Sequence, residues 1–364
     1  MSNQPYVQIA YDDLVTLVKD IFVGAKVSAD NAQAAADVLV MADAQGISSH
    51  GVARTQRYLN DIAKGVTHPD TPHQVLKSGP SFEVWEGNHG LGSVLSNKAM
   101  KRAIELAKNS GVGMISVRCS SHHGITSYYT HEALAHDMIG VAMTNTAPLG
   151  IPTGGLGARF GTNPLAFAAP TTGKLPPFIL DMATTNVTRG AVEIKLRNGD
   201  PIPDGWAIDS EGKTPTDAKA FLDGLLNLEG GLLPLGGASA GHKGYGLAMM
   251  VEIFTSLLCG GDYGINVRDT PETAACVNHF FMAIDIKQFR DLDHFKTDMD
   301  DYLQMMLDTK RADPLKPIYY AGQIPHANMV TAKKDGVKIL ASVYEELKSI
   351  ANKYSVHVPS AKAL

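Results

Sequence analysis

Five side chains carry the chemistry this sequence could perform: His50, Arg54, His122, Asp181 and Lys243. An arginine fork can hold a carboxylate through two parallel hydrogen bonds. A histidine can exchange a proton near neutral pH, and an aspartate beside it can orient the ring. Each residue alone is weak evidence, because a lone histidine is more often a satisfied structural group than a catalyst. Taken together, they suit proton exchange at a carbon that bears a carboxylate. No nucleophile stands with its own base and no metal set is complete, so proton exchange with a bound redox cofactor is the class that remains. The rival from another class is a metal-dependent hydrolase built on His122, His123, His131 and His136.

Most of these residues fall in or converge on one stretch, Ser120 to Thr185. It opens with Ser120-Ser121-His122-His123-Gly124, passes Thr144-Asn145-Thr146 and a glycine-rich turn, and closes on Phe178-Ile179-Leu180-Asp181. Each polar cluster follows an expected β-strand, and strand ends are where α/β proteins display chemistry. Clusters around His50 and Lys243 are expected to converge on it and form one site.

Three motifs in the chain invite other readings and fail on geometry. Gly155-x-Gly157-x-x-x-Gly161 lies between Pro148, Pro152 and Pro164, so no helix can start where a dinucleotide loop needs one. Gly236 to Lys243 resembles a phosphate loop, but His242 intrudes and Gly244 replaces the Ser or Thr that would hold Mg²⁺. His131 and His136 are five apart rather than the four that a zinc-protease helix requires.

The elements that position these residues follow from periodicity. Asp12 to Val23 reads as an amphipathic helix, and Ser28 caps a second, alanine-rich helix that stops at Gly46. If Ser48 or Ser49 caps a third helix running to Ile62, His50 and Arg54 fall four apart on one face. Pro69, Pro72 and Pro80 mark a linker-like stretch before a short strand, Phe82 to Trp85. Leu91 to Asn109 (helix), Met114 to Val117 (strand), Thr126 to Met138 (helix) and Ile139 to Met143 (strand) then alternate. That alternation implies an α/β sheet, partly parallel. Asp200 to Thr216 reads as loop, Gly244 to Leu258 as an apolar helix, and Ile286 to Arg311 as a charged one. A final strand and helix fill Gly336 to Asn352.

Hydrophobic residues make up 44% and charged residues 19% of 364, enough for a globular core and for two domains. A formal charge of −5 gives nucleic acid no electrostatic foothold. Three widely spaced cysteines argue for a reducing compartment, and the start lacks the pattern of a secretory signal. No run is apolar enough for a membrane helix. The expectation is a soluble cytoplasmic protein.

Six segments resemble one known family. They are Ser49-His50-Gly51-Val52-Ala53-Arg54, Ser121-His122-His123-Gly124, Gly161-Thr162-Asn163-Pro164, Leu180-Asp181-Met182-Ala183-Thr184-Thr185, Ile202 to Asp209, and Lys243-Gly244-Tyr245-Gly246-Leu247-Ala248. In order and over nearly the whole chain, they are similar to the malate/L-lactate dehydrogenase family, which is unrelated to the Rossmann-fold lactate and malate enzymes. Its relatives include ureidoglycolate dehydrogenase, diketogulonate reductase, sulfolactate dehydrogenase and a cyclic-imine reductase. The resemblance implies an α/β, non-Rossmann NAD(P)-binding fold with a central mixed sheet and a mainly helical domain from the two chain ends. Residues 1–75 with 315–364 would form the helical domain, and 76–314 the NAD(P)-binding and substrate region. It also implies a homodimer with the site at or near the subunit contact.

Hydride transfer between NAD or NADP (NAD preferred) and a small 2-hydroxy/2-oxo acid is the implied activity, with malate/oxaloacetate the expected pair. Another 2-oxo acid or a cyclic imine is the alternative within the class. By position, His50 and His122 match acid/base histidines described for different members, and Arg54 matches the substrate-carboxylate arginine, with Ser49 and Thr162 beside the substrate. Ser121, His122, Thr146, Asp181, Met182, Ala183, Thr184, His242, Lys243 and Gly322 match cofactor contacts, and no metal is implied. His50 is favoured as acid/base because one rigid element would then fix it together with Arg54. Two departures stand out: His123 where the family commonly has an aromatic residue, and Ala321-Gly322-Gln323 where it often has Pro-Gly-Glu.

Overall fold

The computed structural model describes residues 5–268, 273 and 276–364. Its helices are α1 (Tyr11–Gly24), α2 (Ala29–Ala44), α3 (Thr55–Ala63), α4 (Gly92–Ser110), α5 (Ser127–Leu134), α6 (Arg189–Asn198), α7 (Ala218–Leu225), α8 (Gly237–Glu252), α9 (Leu292–Leu307), α10 (Gln323–Asp335) and α11 (Ala341–Lys353). The strands are β1 (Tyr6–Ile9), β2 (Gln74–Gly79), β3 (Phe82–Glu86), β4 (Val112–Ser120), β5 (Ile139–Thr144), β6 (Leu165–Ala169), β7 (Phe178–Met182), β8 (Ala207–Ile208), β9 (Gly231–Leu232), β10 (Val277–Ile284), β11 (Val337–Leu340) and β12 (Lys362–Ala363).

A seven-stranded sheet of order β2-β3-β4-β10-β5-β6-β7 forms the centre. Within this sheet, among the described residues, only β3 and β4 pair in parallel. β10 lies antiparallel between β4 and β5, so those two strands run the same way. The mixed α/β sheet expected from the alternation is therefore present. β10 had no sequence assignment, yet it is central, and Phe280 and Phe281 on its opposite faces are both buried. β2 replaces what read as a linker, and α5 ends four residues before the expected Met138.

α1 forms because Leu14, Leu17, Val18, Ile21 and Phe22 recur on one face, and all five are buried. Ser28 caps α2 as expected, its hydroxyl accepting the Asn31 amide at 3.4 Å. These helices pack with α3, α10, α11 and a small sheet, β11-β1-β12, in one apolar cluster drawn mostly from the two ends of the chain. A second cluster, including Leu95, Met100, Ile115, Tyr129 and Phe281, fills the space between the central sheet, α2, α4 and α5. Among the described residues no helix is long and apolar enough to cross a membrane.

Register brings the chemistry to one edge of the sheet. Ser120 at the end of β4 pairs with Val277 at the start of β10, and Thr144 at the end of β5 pairs with His279. Leu165 at the start of β6 lies between Met143 and Met182. The loops that carry His122, Thr146 and Thr162 all leave from that edge, and Asp181 lies beside it near the end of β7.

Candidate active site

A cleft of about 580 Å³ opens at this edge, and Ser49, His50, Arg54, His122, Thr146 and Thr162 all line it. Its volume lies within the roughly 300–1,000 Å³ typical of small-molecule sites. The N-terminal segment and the strand-end loops, far apart in sequence, thus meet as expected.

His50 and Arg54 reach the cleft by a different route from the one expected. They do not share a helix. Ser48–His50 and Val52–Arg54 are two successive 3₁₀ turns, and α3 begins only at Thr55, with no side-chain cap. The cause is Asp43, near the end of α2. Its buried carboxylate accepts the Val52 amide at 2.7 Å and lies against Gly51, where an added Cβ would come within 2.1 Å of it. This contact draws the chain inward and interrupts the helix, and only glycine fits at 51. Ser49 does not cap α3 either: its hydroxyl lies 2.8 Å from His50 Nδ1. Arg54 Nε donates to the Ser49 carbonyl at 2.8 Å, and no carboxylate among the described residues pairs with Arg54. The terminal nitrogens of the fork remain for an anion.

His122 stacks on His50, with ring centroids 5.4 Å apart. Its Nδ1 accepts the Gly124 amide at 3.3 Å and lies 2.6 Å from the Tyr58 hydroxyl. A backbone N–H can only donate, so Nδ1 is an acceptor for both groups and the proton of the neutral ring sits on Nε2. Burial lowers both imidazoles. His50 is pushed down to about 4 by burial and then by Arg54. His122 falls well below its usual value through burial, then through His50, Arg54 and Arg57. Both rings are neutral at pH 7.

His123 is buried and only borders the cleft that His122 lines. It stacks on His279 at 4.6 Å, and its nitrogens lie 3.3 Å from the hydroxyls of Ser96 and Thr126. The only group of three His, Cys, Asp or Glu residues among the described ones that lies close enough to share an ion is His89, Cys119 and Cys276. The hydrolase alternative therefore lacks its His122, His123, His131 and His136 ligand set.

The remaining expected residues are not in the wall of the cleft. Ser121 lines a small neighbouring depression with Arg57, Tyr58 and His122. Asp181 orients no imidazole: its Oδ2 accepts the Ser127 amide at 2.7 Å, spending the carboxylate on the first turn of α5, and burial raises its pKa. A ladder ties the other segments together. Thr146 Oγ1 accepts the Thr162 amide at 3.1 Å, and the Thr162 carbonyl accepts both the amide and the hydroxyl of Thr184 at 2.9 and 3.0 Å. The Thr184 carbonyl in turn accepts the Leu235 amide just before α8, which carries His242 and Lys243, both exposed. The ladder needs Gly161, where a Cβ would sit 2.2 Å from Thr146 Oγ1. Met182 and Ala183 are half-buried at the end of β7. Gly322 starts α10 at φ 101° and packs against Ile179, while Gln323 Oε1 accepts the Tyr320 amide at 2.9 Å. The glycine-rich run from 154 to 161 leads into β6 with no helix, so the dinucleotide-loop reading fails as expected.

Sequence reasoning missed Asp43 and Tyr58. Asp43 is one of three aspartates in an alanine-rich helix and nothing in the sequence sets it apart, whereas Tyr58, one turn after Arg54, carried the only available signal.

Two neutral imidazoles share a cleft with a guanidinium that no described carboxylate pairs, an arrangement that suits a small carboxylic acid. Comparison with known proteins narrows the class. The family model described as malate/L-lactate dehydrogenase matches residues 9–348. The chain is 40% identical over 357 residues to the malate dehydrogenase of Pyrococcus abyssi, covering 97% of each chain. It is 30% identical over 347 residues to a ureidoglycolate dehydrogenase (NAD(+)) of Escherichia coli, covering 94% of this chain and 96% of that one. The crystal structure of malate dehydrogenase from Entamoeba histolytica matches with a TM-score of 0.93 at 31% identity, covering 97% of this chain and 99% of that one. The chain belongs to the malate/L-lactate dehydrogenase family. It is an oxidoreductase acting on hydroxy acids with a nicotinamide cofactor.

Proposed function

We propose that this enzyme interconverts malate and oxaloacetate with NAD. The observation that carries the substrate is the charge of the cleft wall. Arg54, Arg57, Arg189 and Arg268 line it; Arg57 pairs with Asp61 and Arg189 with Glu193, which leaves Arg54 and Arg268 with no carboxylate partner among the described residues. Such a wall suits a dianion better than the monoanions lactate or pyruvate. The 40% identity to a malate dehydrogenase supports the same choice, and the ureidoglycolate relative whose name includes NAD(+) supports NAD over NADP.

The nicotinamide ring, when bound, supplies or accepts the hydride. Thr146 and Thr162 line the cleft, and its room fits such a ring. By position in the family, Ser121, Asp181, Met182, Ala183, Thr184, His242, Lys243 and Gly322 are the further cofactor contacts of this reading. Arg54 holds the carboxylate next to the reacting carbon. His50, with Nδ1 on the Ser49 hydroxyl, takes the hydroxyl proton at Nε2 during oxidation. His122 cannot take it, because Nδ1 is filled by two donors and Nε2 already carries a proton. It instead donates a hydrogen bond to the substrate oxygen and polarises it.

The reading extends to the assembly: a homodimer in the cytoplasm, with residues 1–75 and 315–364 forming one domain and 76–314 the other. The exposed apolar row Met249, Ile253 and Leu257 supports self-association, and three free cysteines support a reducing compartment. Steady-state oxidation of reduced NAD and reduced NADP with oxaloacetate, pyruvate and a cyclic imine tests the function. Oxaloacetate with reduced NAD should give the highest kcat/KM. A preference for a monocarboxylate or for the imine would overturn the substrate, and light scattering at the size of a monomer would overturn the dimer.

A further inference from the structure

We propose that His89, Cys119 and Cys276 form a site for a thiophilic divalent cation, Zn²⁺ in the first instance, clipping the start of β10 to the end of β4. The two Sγ atoms lie 3.3 Å apart, and His89 Nδ1 lies 3.8 Å from Cys276 Sγ. All three ligand atoms fall within 4.8 Å of one another. Zinc bonds of about 2.3 Å to sulfur and about 2.0–2.1 Å to imidazole place tetrahedral ligand atoms roughly 3.5–3.8 Å apart. The observed spacings bracket that value, so adjustments of well under a side-chain rotation complete the set. Two thiolates and an imidazole form a borderline-soft donor set, which selects zinc over magnesium or calcium. The fourth position is left to water.

The backbone holds the ligands at some cost. His89 and Cys119 are non-glycine residues at φ 53° and 52°, in the left-handed region. Such strain persists only where the surroundings over-determine it. Here the His89 amide donates to the Cys119 carbonyl at 2.7 Å, and the Cys119 amide to Asn278 Oδ1 at 3.0 Å. All three side chains have partial access to solvent, so an ion can enter. The site stands apart from the substrate cleft, which none of the three lines. It borders it, however: Cys276 precedes Val277 in the cleft wall, and Cys119 is three residues before His122. A bound ion would therefore brace the sheet edge from which the catalytic loops leave.

The test uses the full chain, reduced with a phosphine, stripped with a chelator and titrated with Co²⁺ as a spectroscopic stand-in for zinc. One equivalent per chain should give sulfur-to-cobalt charge-transfer and tetrahedral d–d bands, and Zn²⁺ should displace them. Cys119→Ser, Cys276→Ser and His89→Ala should each weaken binding by at least about tenfold, the loss seen even for outer-shell changes at metal sites. Zinc should raise the unfolding temperature of the wild type and not of the variants. Should a variant fail to fold, the wild type suffices, because zinc should slow alkylation of Cys119 and Cys276 by about tenfold or more. Absence of thiolate–cobalt bands in the reduced wild type, or unchanged affinity in the variants, overturns the proposal. So does a reduced protein that takes up no metal while hydrogen peroxide joins the two thiols. That reaction, two thiols and one peroxide giving a disulfide and two waters, would mark the pair as a redox couple.

Discussion

The imidazoles of His50 and His122 stack with their planes 27° apart, and each faces the cleft that also holds Arg54. Two rings so close, beside a guanidinium, cannot both carry charge. Their division of labour follows from their partners: Ser49 for His50, and Tyr58 with Gly124 for His122. His50→Ala should lower turnover by roughly a hundredfold or more, the usual scale for removing a general acid/base. An ordinary imidazole would set the acid limb of malate oxidation between about pH 6 and 7. Burial moves it, because His50 is held at about 4 and must be neutral to accept a proton. The kcat/KM profile for oxidation should stay flat down to about pH 5 and fall below that, and His50→Ala should lose this limb. If His122→Ala removes the limb and His50→Ala keeps it, the roles are reversed.

Tyr58→Phe tests the tautomer of His122. The ring keeps its packing, but Nδ1 loses its shorter hydrogen bond. Turnover should fall about tenfold with KM little changed, since a misdirected polarising donor costs more in the transition state than in the ground state. An unchanged kcat would place Tyr58 in a purely structural role.

Arg54→Lys probes the carboxylate clamp. The fork is braced by its Nε on the Ser49 carbonyl, and an ammonium cannot both keep that bond and present two donors. A loss of at least about tenfold in kcat/KM is expected from the missing charge-assisted pair, with NAD affinity from fluorescence titration unchanged. Wild-type kinetics in this variant would exclude the clamp.

Much of this site could be read from the chain because each polar cluster followed an apolar strand, and register then carried Ser120, Thr144, Leu165 and Met182 to one sheet edge. Residue spacing also placed His50 near Arg54, but for the wrong reason. A helix was inferred from local periodicity, whereas the tertiary contact of Asp43 with Gly51 and Val52 sets the geometry. β10 escaped because its run Val277 to Ile284 is interrupted by Asn278 and His279, both buried on polar partners that only the folded sheet supplies. Asp181 looked like a ring-orienting acid. Its true partner, the amide of Ser127, belongs to a helix more than fifty residues earlier.

Asp43 yields a prediction of its own. Burial raises its carboxyl to about 7, partly offset by the Val52 amide. A folded-state value above the unfolded 3.8 means stability that is complete below the unfolded value and is lost as pH rises through about 7. Asp43→Asn keeps an acceptor for Val52 and removes this penalty, so urea unfolding at about pH 8 should show it more stable than the wild type. Asp43→Ala leaves the amide unpaired and should cost about 1–3 kcal/mol at any pH, with loss of turnover as Gly51 shifts. An Asn variant that loses stability at about pH 8 would show that the carboxylate charge itself is needed.

The last prediction concerns acid stability and the pair His123–His279. Both rings are buried, stacked at 4.6 Å and held well below the ordinary value, His279 at about 3, chiefly by burial. Among the described residues His279 Nε2 has no hydrogen-bond partner of good geometry, although the Ser121 backbone lies against the ring, and a proton there would bring a buried charge beside a second ring. The unfolded chain binds protons near 6.5 while the folded chain does not, so stability is full above 6.5 and falls as pH drops toward the folded values. Each such histidine contributes a slope of about 1.4 kcal/mol per pH unit in that window. His123→Phe keeps an aromatic ring against His279 and removes one of these protons, at the expense of the Ser96 and Thr126 contacts. Urea unfolding from pH 7 down to about 5 should then show a slope smaller by about one proton, even if the variant starts out less stable at pH 7. A slope equal to that of the wild type would mean that His123 is already protonated in the folded enzyme, and the reading of this pair as a neutral, acid-sensitive stack would fail.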